Sequence, residues 1–307
     1  MEKIERSLHS TAELTRNGSL GLVDSGLTSY GVGNWYDGYL YYIHSFTKID
    51  ADVLFPVLTK VEQYQDLLSI HSIHSVPKAA QEVQRMRTIL TDKLKFLNRT
   101  ANTRDARKQH HTNLDASELR QIAKDLLENI CWNYREAERL TRRKQLSPSG
   151  DAFKTLDTLI SSITTELCSK KNYALRHGDS PYVHGEDLHT DEQLVATAIF
   201  YSIFRNQSCY ILTADSDIAR IVQNTYWFLT EETQPLANAV KLRLNEVPVK
   251  VFFKNGDDSF EGVTDTSDLS REYLTRNLWL NNKLQGSVRK FPLSPALLHG
   301  FSEIPVS

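Results

Sequence analysis

The chain has 307 residues, enough for one large domain or two small ones. Its apolar fraction of 40% and charged fraction of 24% are typical of a globular protein and exclude a largely disordered one. The formal net charge of −2 does not by itself indicate a nucleic-acid partner. Because the sequence contains neither an apolar run of about 20 residues nor a signal-peptide pattern, we expect a cytoplasmic protein without a membrane segment.

The first part of the chain predicts two strands, each followed by an acid. An apolar run at residues 20–23 predicts a strand, and Asp24 and Ser25 follow it. A second apolar run at residues 53–57 predicts another strand, and the periodicity from Leu58 to about residue 72 predicts a helix with Glu62 near its start. Taken alone, such acids are often helix caps or solvated first-turn residues.

Residues 76–150 predict two helices joined by a charged connector. They contain 16 Lys and Arg but nine Asp and Glu, a net charge of +7, so the rest of the chain carries −9. The connector includes Arg104, Arg107 and Lys108, which are candidates for contacts with a phosphate backbone. A solvated basic surface is the alternative interpretation.

The second part of the chain repeats the strand-and-acid pattern. After a helix at about 153–169, Asp191 begins a helix rich in small apolar residues. The apolar run at 209–213 predicts a strand that ends at Thr213, and Asp215 and Asp217 follow it before another helix. Residues 247–253 predict a further strand, and one helix is expected around 269–280.

The acids come from four separate segments, yet one fold would bring them together. In an open α/β sheet, the loops that follow parallel strands meet at one edge, where ligands bind. Two carboxylates in a crevice both stay ionised only when a cation or hydrogen-bond donors compensate them. Chance capping explains each acid separately but not the whole set, which is Asp24, Glu62, Asp191, Asp215 and Asp217.

At these residues the chain resembles the PIN-domain metal-dependent nucleases. The resembling segments are Val23-Asp24-Ser25-Gly26-Leu27, the stretch from Phe55 to Glu62, the stretch from Asp191 to Ala198, and Leu212-Thr213-Ala214-Asp215-Ser216-Asp217. The resemblance covers about residues 19–75 and 185–253. It implies a PIN-like three-layer α/β/α fold with a mostly parallel central sheet. Residues 1–75 and 151–255 would form this domain, 76–150 an inserted basic helical segment, and 256–307 a C-terminal extension.

The resemblance implies a hydrolase that cleaves phosphodiester bonds with Mg²⁺ or Mn²⁺, acting as a ribonuclease on RNA. Oxygen ligands suit these ions, and a metal-bound water is a better nucleophile than free water. Asp24, Asp191, Asp215 and Asp217 would bind the metal, with Glu62 as a further catalytic acid. Thr213, Ser25 and the three basic connector residues would contact the substrate.

Three points stay open at this stage. The long separation between the second and third motifs departs from the compact PIN pattern, so the segment 76–150 could add a substrate-binding surface, a site for a protein partner, or only bulk. A protein partner or a homo-oligomer is compatible with the sequence. A PIN-like module that binds RNA or protein without cleaving it is one alternative. A phosphatase of the haloacid dehalogenase type is another, because Asp215-Ser216-Asp217 resembles the paired aspartates of that family.

Overall fold

Six strands pair into one mixed sheet. The computed structural model describes residues 8–16, 18–29, 51–100, 116–167, 189–256, 259–270 and 272–302. The strands are β1 (Leu8–Ser10), β2 (Leu20–Val23), β3 (Ile73–His74), β4 (Cys209–Thr213), β5 (Val249–Lys254) and β6 (Ser259–Asp265). Their order is β1-β6-β5-β4-β2-β3. The pairs β3–β2, β2–β4 and β4–β5 are parallel, whereas β5–β6 and β6–β1 are antiparallel.

Helices provide the rest of the regular structure, together with short 3₁₀ turns after β2 (Ser25–Ser29) and β6 (Thr266–Asp268). None of the helices in the described ranges combines the length and the apolar character that a membrane span requires. The helices are α1 (Thr11–Thr15), α2 (Ala51–Ser69), α3 (Pro77–Thr100), α4 (Ala116–Arg143), α5 (Asp151–Leu167), α6 (Thr190–Arg205), α7 (Ser216–Leu229), α8 (Ala237–Glu246), α9 (Glu272–Arg276), α10 (Leu278–Lys290) and α11 (Pro295–Ser302).

The side chains of β4 show how the two faces of the sheet are covered. Cys209 and Ile211 point into one hydrophobic cluster, and Tyr210 and Leu212 point into the other. All four are buried, as expected for a central parallel strand with helices on both faces. The apolar run that predicted this strand is therefore continuous rather than alternating, because neither face meets water.

Each cluster joins one face of the sheet to a different set of helices. Helices α2, α3 and α4 pack on the face that includes Val23 and Leu212. Helices α5, α6, α7, α8, α10 and α11 contribute to the cluster on the opposite face, which includes Leu22 and Ile211. The general α/β class is confirmed. The sheet is mixed, with antiparallel strands at the β1 end.

The predicted strand at residues 53–57 is wrong, because these residues belong to helix α2. A short apolar run is compatible with a buried strand or with part of a buried helix, and periodicity alone does not separate them. Pro56 favoured a strand edge, yet it lies in the second turn of α2. The helix forms because Val57, Val61, Tyr64 and Leu68 share one buried face. Strands β1, β3 and β6 were not predicted from the sequence.

The basic segment 76–150 contributes helices to the main core. Helix α4 packs against α2 and α3, and its Ile130 belongs to the same cluster as Val23 and Leu212. The residues just after α4 pair with Ser75, the residue just after β3. Ser75 N donates to Lys144 O at 3.1 Å, and Leu146 N donates to Ser75 O at 2.7 Å. The division of the chain into domains stays a prediction, but α3 and α4 share a hydrophobic core with the sheet.

Ile130→Ala should destabilise the whole α/β unit. Ile130 is fully buried, so truncation leaves a cavity and should lower the free energy of unfolding by about 2 to 5 kcal/mol. Urea unfolding followed by far-UV circular dichroism and by tryptophan fluorescence should give coincident transitions. Leu242→Ala, at a position 41% exposed on α8, is the control and should change stability little. A separate early transition of the helical segment would contradict the shared core.

Candidate functional site

The carboxyl ends of β2 and β4 lie side by side and bring two of the predicted residues together. Val23 pairs with Leu212 in the parallel register, so the next residues, Asp24 and Thr213, are neighbours. The backbone N–H of Asp24 donates to Leu212 O at 2.9 Å and extends the pairing by one bond. This is the edge at which open α/β sheets bind ligands.

Asp24 is a buried carboxylate with a donor at each oxygen. Its exposed fraction is 3%. Thr213 Oγ1 donates to Oδ2 at 2.8 Å, and Gly26 N donates to Oδ1 at 3.1 Å. A Cβ atom on residue 26 would lie 2.7 Å from Asp24 Oδ2, so only glycine leaves room for the carboxylate in this position.

Thr213 connects Asp24 to the start of α7. Its hydroxyl oxygen accepts the backbone N–H of Asp215 at 2.8 Å while the hydroxyl proton goes to Asp24. Asp215 is exposed and caps α7, with Oδ1 accepting the backbone N–H of Asp217 at 2.8 Å. Asp217 pairs with Arg220 at 3.2 Å between Oδ1 and Nη1. One hydroxyl thus fixes the relative positions of two predicted site acids.

Glu82 is a site residue that the sequence analysis missed. The Ser25 hydroxyl donates to the Glu82 carboxylate, and the charge of Glu82 acts on Asp24. Glu82 lies in the second turn of α3, which follows β3, the strand that runs parallel beside β2. Glu62, the residue chosen from the sequence, is exposed on α2. If β3 had been recognised as a strand, Glu82 would have been selected as an acid near the start of the helix that follows a strand. The sequence does not reveal β3, because this strand has two residues and one apolar side chain.

Burial and like charges together make Asp24 hard to ionise. Removal from water is the largest influence, and the nearby carboxylates of Glu82 and Asp215 add to it, so that the pKa of Asp24 rises to about 7. The hydrogen bonds from Gly26 and Thr213 act in the opposite direction. A positive charge at this place would remove the cost of ionising Asp24.

Asp191 lies at the same edge of the sheet, in the first turn of α6. Helix α6 ends just before β4, so its start lies near the carboxyl ends of the strands. Lys78 N, at the start of α3, donates to Gln193 Oε1 at 2.9 Å and ties the two helix starts together. Asp191 is half-buried, and its neighbour Glu192 is 1% exposed and lies 3.5 Å from His189 Nδ1.

The carboxylate groups of these acids are chemically suited to bind a hard divalent cation. Carboxylate oxygens are the ligands that Mg²⁺ and Mn²⁺ prefer, and Mg²⁺ commonly uses one or two carboxylates and keeps several waters. Within the ranges that the structure describes, no three His, Cys, Asp or Glu side chains form a group able to hold a metal ion. A pair of carboxylates with water would be a chemically suitable donor set for such an ion.

We refer to Asp24, Glu82 and Asp215 as the acid cluster. Of the predicted substrate contacts, Thr213 and Ser25 lie within this cluster, and each donates a hydrogen bond to one of its carboxylates. Arg104, Arg107 and Lys108 lie outside the described residues. Comparisons with protein-family profiles, with curated proteins and with solved structures found no match to this chain.

Replacing Asp24 should change how stability depends on pH. A carboxyl whose pKa is raised on folding contributes stability below its unfolded pKa and loses it as pH rises through the folded value. In EDTA, the wild type should therefore lose roughly 2 to 3 kcal/mol relative to Asp24→Asn between about pH 5 and about pH 8, because the unfolded chain is already ionised above about pH 5 and the folded carboxyl titrates around its pKa of about 7. Urea titrations at each pH measure this. Parallel curves for the two proteins would show that Asp24 ionises normally.

Thr213→Val should separate the two acids that the hydroxyl connects. The variant keeps the shape of the side chain but leaves Asp215 N–H and Asp24 Oδ2 without their partner, at a cost of about 1 to 3 kcal/mol in the free energy of unfolding. Thr213→Ser retains the hydroxyl and is the matched control. A loss of stability in Thr213→Ser with none in Thr213→Val would mean that the methyl group, and not the hydrogen bonds, stabilises this position.

Proposed function

We propose that the chain is a metal-dependent nuclease with a PIN-like fold, and that its substrate is RNA. The observation that carries the proposal is the buried Asp24 carboxylate, held close to two further acids at the carboxyl edge of parallel strands. Folding brings like charges together against their repulsion, which is characteristic of sites that bind a cation. The order of the acids along the chain agrees with the resemblance found in the sequence.

In this proposal, Asp24 and Asp215 hold Mg²⁺ or Mn²⁺, and Glu82 takes the place that the sequence analysis gave to Glu62. The bound ion would supply a nucleophilic water and neutralise charge on the phosphate. Thr213 keeps one Asp24 oxygen in position through its hydroxyl, and Gly26 leaves space beside it. Asp191 and Asp217 stay candidate ligands or residues that orient water.

The basic segment 76–150 supports a polyanionic substrate, because its +7 charge adjoins an otherwise acidic chain. A cytoplasmic location also stays part of the proposal. A second candidate function is an RNA- or protein-binding module that does not cleave. The observation that favours it is that no three potential ligands form a metal-binding group within the described ranges.

The test is cleavage of labelled single-stranded RNA, structured RNA and DNA, with Mn²⁺ or with EDTA, by the wild type and by Asp215→Asn. We expect cleavage of RNA that requires Mn²⁺ and falls at least about 100-fold in the variant, as is usual when a principal electrostatic or metal-binding group is removed. A small phosphomonoester serves as the control substrate for phosphatase activity. Full activity of Asp215→Asn, or activity in EDTA, would contradict the proposal.

A matched pair of variants decides which glutamate belongs to the site. Glu82→Gln should reduce cleavage strongly because Glu82 lies beside Asp24 and Ser25, whereas Glu62→Gln tests the sequence-based choice. Asp66→Asn, an exposed acid on the same helix as Glu62, is the control for a general change of charge. Loss of activity in Glu62→Gln with full activity in Glu82→Gln would reverse the assignment.

A further inference from the structure

A groove with a volume of about 400 Å³ runs along α4 where this helix meets α3. Four arginines, two glutamates and one tryptophan line it, so the groove carries an excess of positive charge. Arg87 comes from α3, and Trp132, Arg135, Arg139 and Arg142 come from α4. These residues lie on the two helices of the basic segment and not in the connector between them.

The tryptophan and arginines form one stripe along α4. They are spaced by three, four and three residues, so they lie on the same side of the helix, over a length of about 15 Å. The Trp132 side chain is 58% exposed. An indole ring that remains in water among arginines offers a flat apolar surface within a positively charged track.

Contacts between α3 and α4 hold part of this stripe in place. Glu138 pairs with Arg87 at 2.8 Å and with Arg142 at 3.0 Å, each through the Nε atom. Arg142 Nη2 also donates to Gln84 Oε1 at 2.8 Å. Arg135 forms no ion pair with any other residue that the structure describes. Arg139 pairs with Glu136 at 2.8 Å through its Nε atom. Glutamates thus hold Arg87, Arg139 and Arg142 in position, whereas Arg135 has no such ion pair among the described residues.

The Arg142 end of the stripe contacts the N-terminal half of α3, the helix that also contributes Glu82. Helices α3 and α4 run in opposite directions, since Arg142 contacts Gln84, Glu138 contacts Arg87, and Cys131 near Trp132 interacts with Thr91. Gln84 is two residues from Glu82, a rise of about 3 Å along α3, but residues at this spacing point to different sides of a helix, so the groove and Glu82 lie on different sides of α3. A chain that lies in the groove would thus run along α4 between Arg142 and Trp132.

We propose that this groove binds a single-stranded nucleic acid, with phosphates on Arg135, Arg139 and Arg142 and an unpaired base stacked on Trp132. Arginines suit phosphate oxygens, and stacking on an exposed aromatic ring requires a base outside a duplex. The inference rests on the proposed function in one respect, because the nucleic acid bound in the groove would be the substrate that the acid cluster cleaves. The surface around the exposed Trp279 is more apolar than the groove. Leu278, next to Trp279 in the sequence, is exposed, and so is Tyr273 on the preceding helix.

Fluorescence anisotropy in EDTA measures binding without cleavage. With a labelled single-stranded RNA, Trp132→Ala should weaken affinity about 10-fold, and Trp132→Phe less, because stacking is retained. The double variant Arg135→Ala/Arg139→Ala should weaken binding and reduce the slope of log affinity against log salt by about 1.4. Circular dichroism checks that each variant is folded.

Two exposed residues provide matched controls. Trp279→Ala removes a tryptophan that is 54% exposed on α10, and Arg276→Ala removes a surface arginine paired with Glu272 at 3.6 Å. Both should bind RNA as the wild type does. Single-stranded DNA of the same sequence shows whether the sugar matters, and a duplex RNA should bind without dependence on Trp132.

The outcomes separate this inference from the proposed nuclease activity. Binding that is equal in the wild type and Trp132→Ala overturns the groove assignment even if the chain cleaves RNA. Absence of binding to every nucleic acid also overturns it and favours a protein partner, since exposed Trp and Arg are common at protein interfaces. Binding that depends on Trp132 without any Mn²⁺-dependent cleavage supports the groove and removes the nuclease proposal.

Discussion

The parallel pairing of β2 with β4 is the constraint on which the candidate site depends. Both strands are buried on both faces, so their register is specified by which side chains enter each hydrophobic cluster. Once Val23 lies opposite Leu212, Asp24 must lie beside Thr213. A slip of one residue would separate them and would also move each apolar side chain into the opposite hydrophobic cluster. Packing of the hydrophobic core therefore determines the relative positions of Asp24 and Thr213, although these polar residues lie outside the two hydrophobic clusters.

The same packing explains why Asp24 is charged only with difficulty. The sheet places its carboxylate out of water, and the two neighbouring elements bring Glu82 and Asp215 towards it. Thr213 and Gly26 compensate part of this cost with hydrogen bonds, but neither carries a positive charge. An ionised buried acid beside like charges lowers stability, and this cost is the reason that we propose a cation at this place.

Helices α3 and α4 connect the acid cluster to the arginine groove. Helix α3 contributes Glu82 near its start and Arg87 five residues later, so one rigid element carries residues of both sites. Helix α4 is fixed by burial of Ile130 and Tyr134 against the sheet-side cluster while its opposite side stays in water. The segment that the sequence suggested as an insertion thus has two roles, because one side completes the core and the other presents basic residues.

The sequence by itself determined the α/β class, the central strands β2, β4 and β5, and the positions of Asp24 and Asp215 just after the ends of β2 and β4. These predictions depend on local signals, namely continuous apolar runs that end at an acid, and such signals survive without tertiary information. It assigned Asp191 to a helix start as well, where the structure also has it. The basic charge of 76–150 was equally visible from composition.

Only the tertiary structure decided that Glu82, and not Glu62, lies next to Asp24. Residues 53–57 are helical because Val57 continues the buried face formed by Val61, Tyr64 and Leu68, which overrides the strand-like composition of the run. Strand β3 forms although it has two residues, because β2 offers it a paired edge. The position of Trp132 among the arginines likewise depends on how α4 packs against α3, and packing between distant segments leaves no local pattern in the sequence.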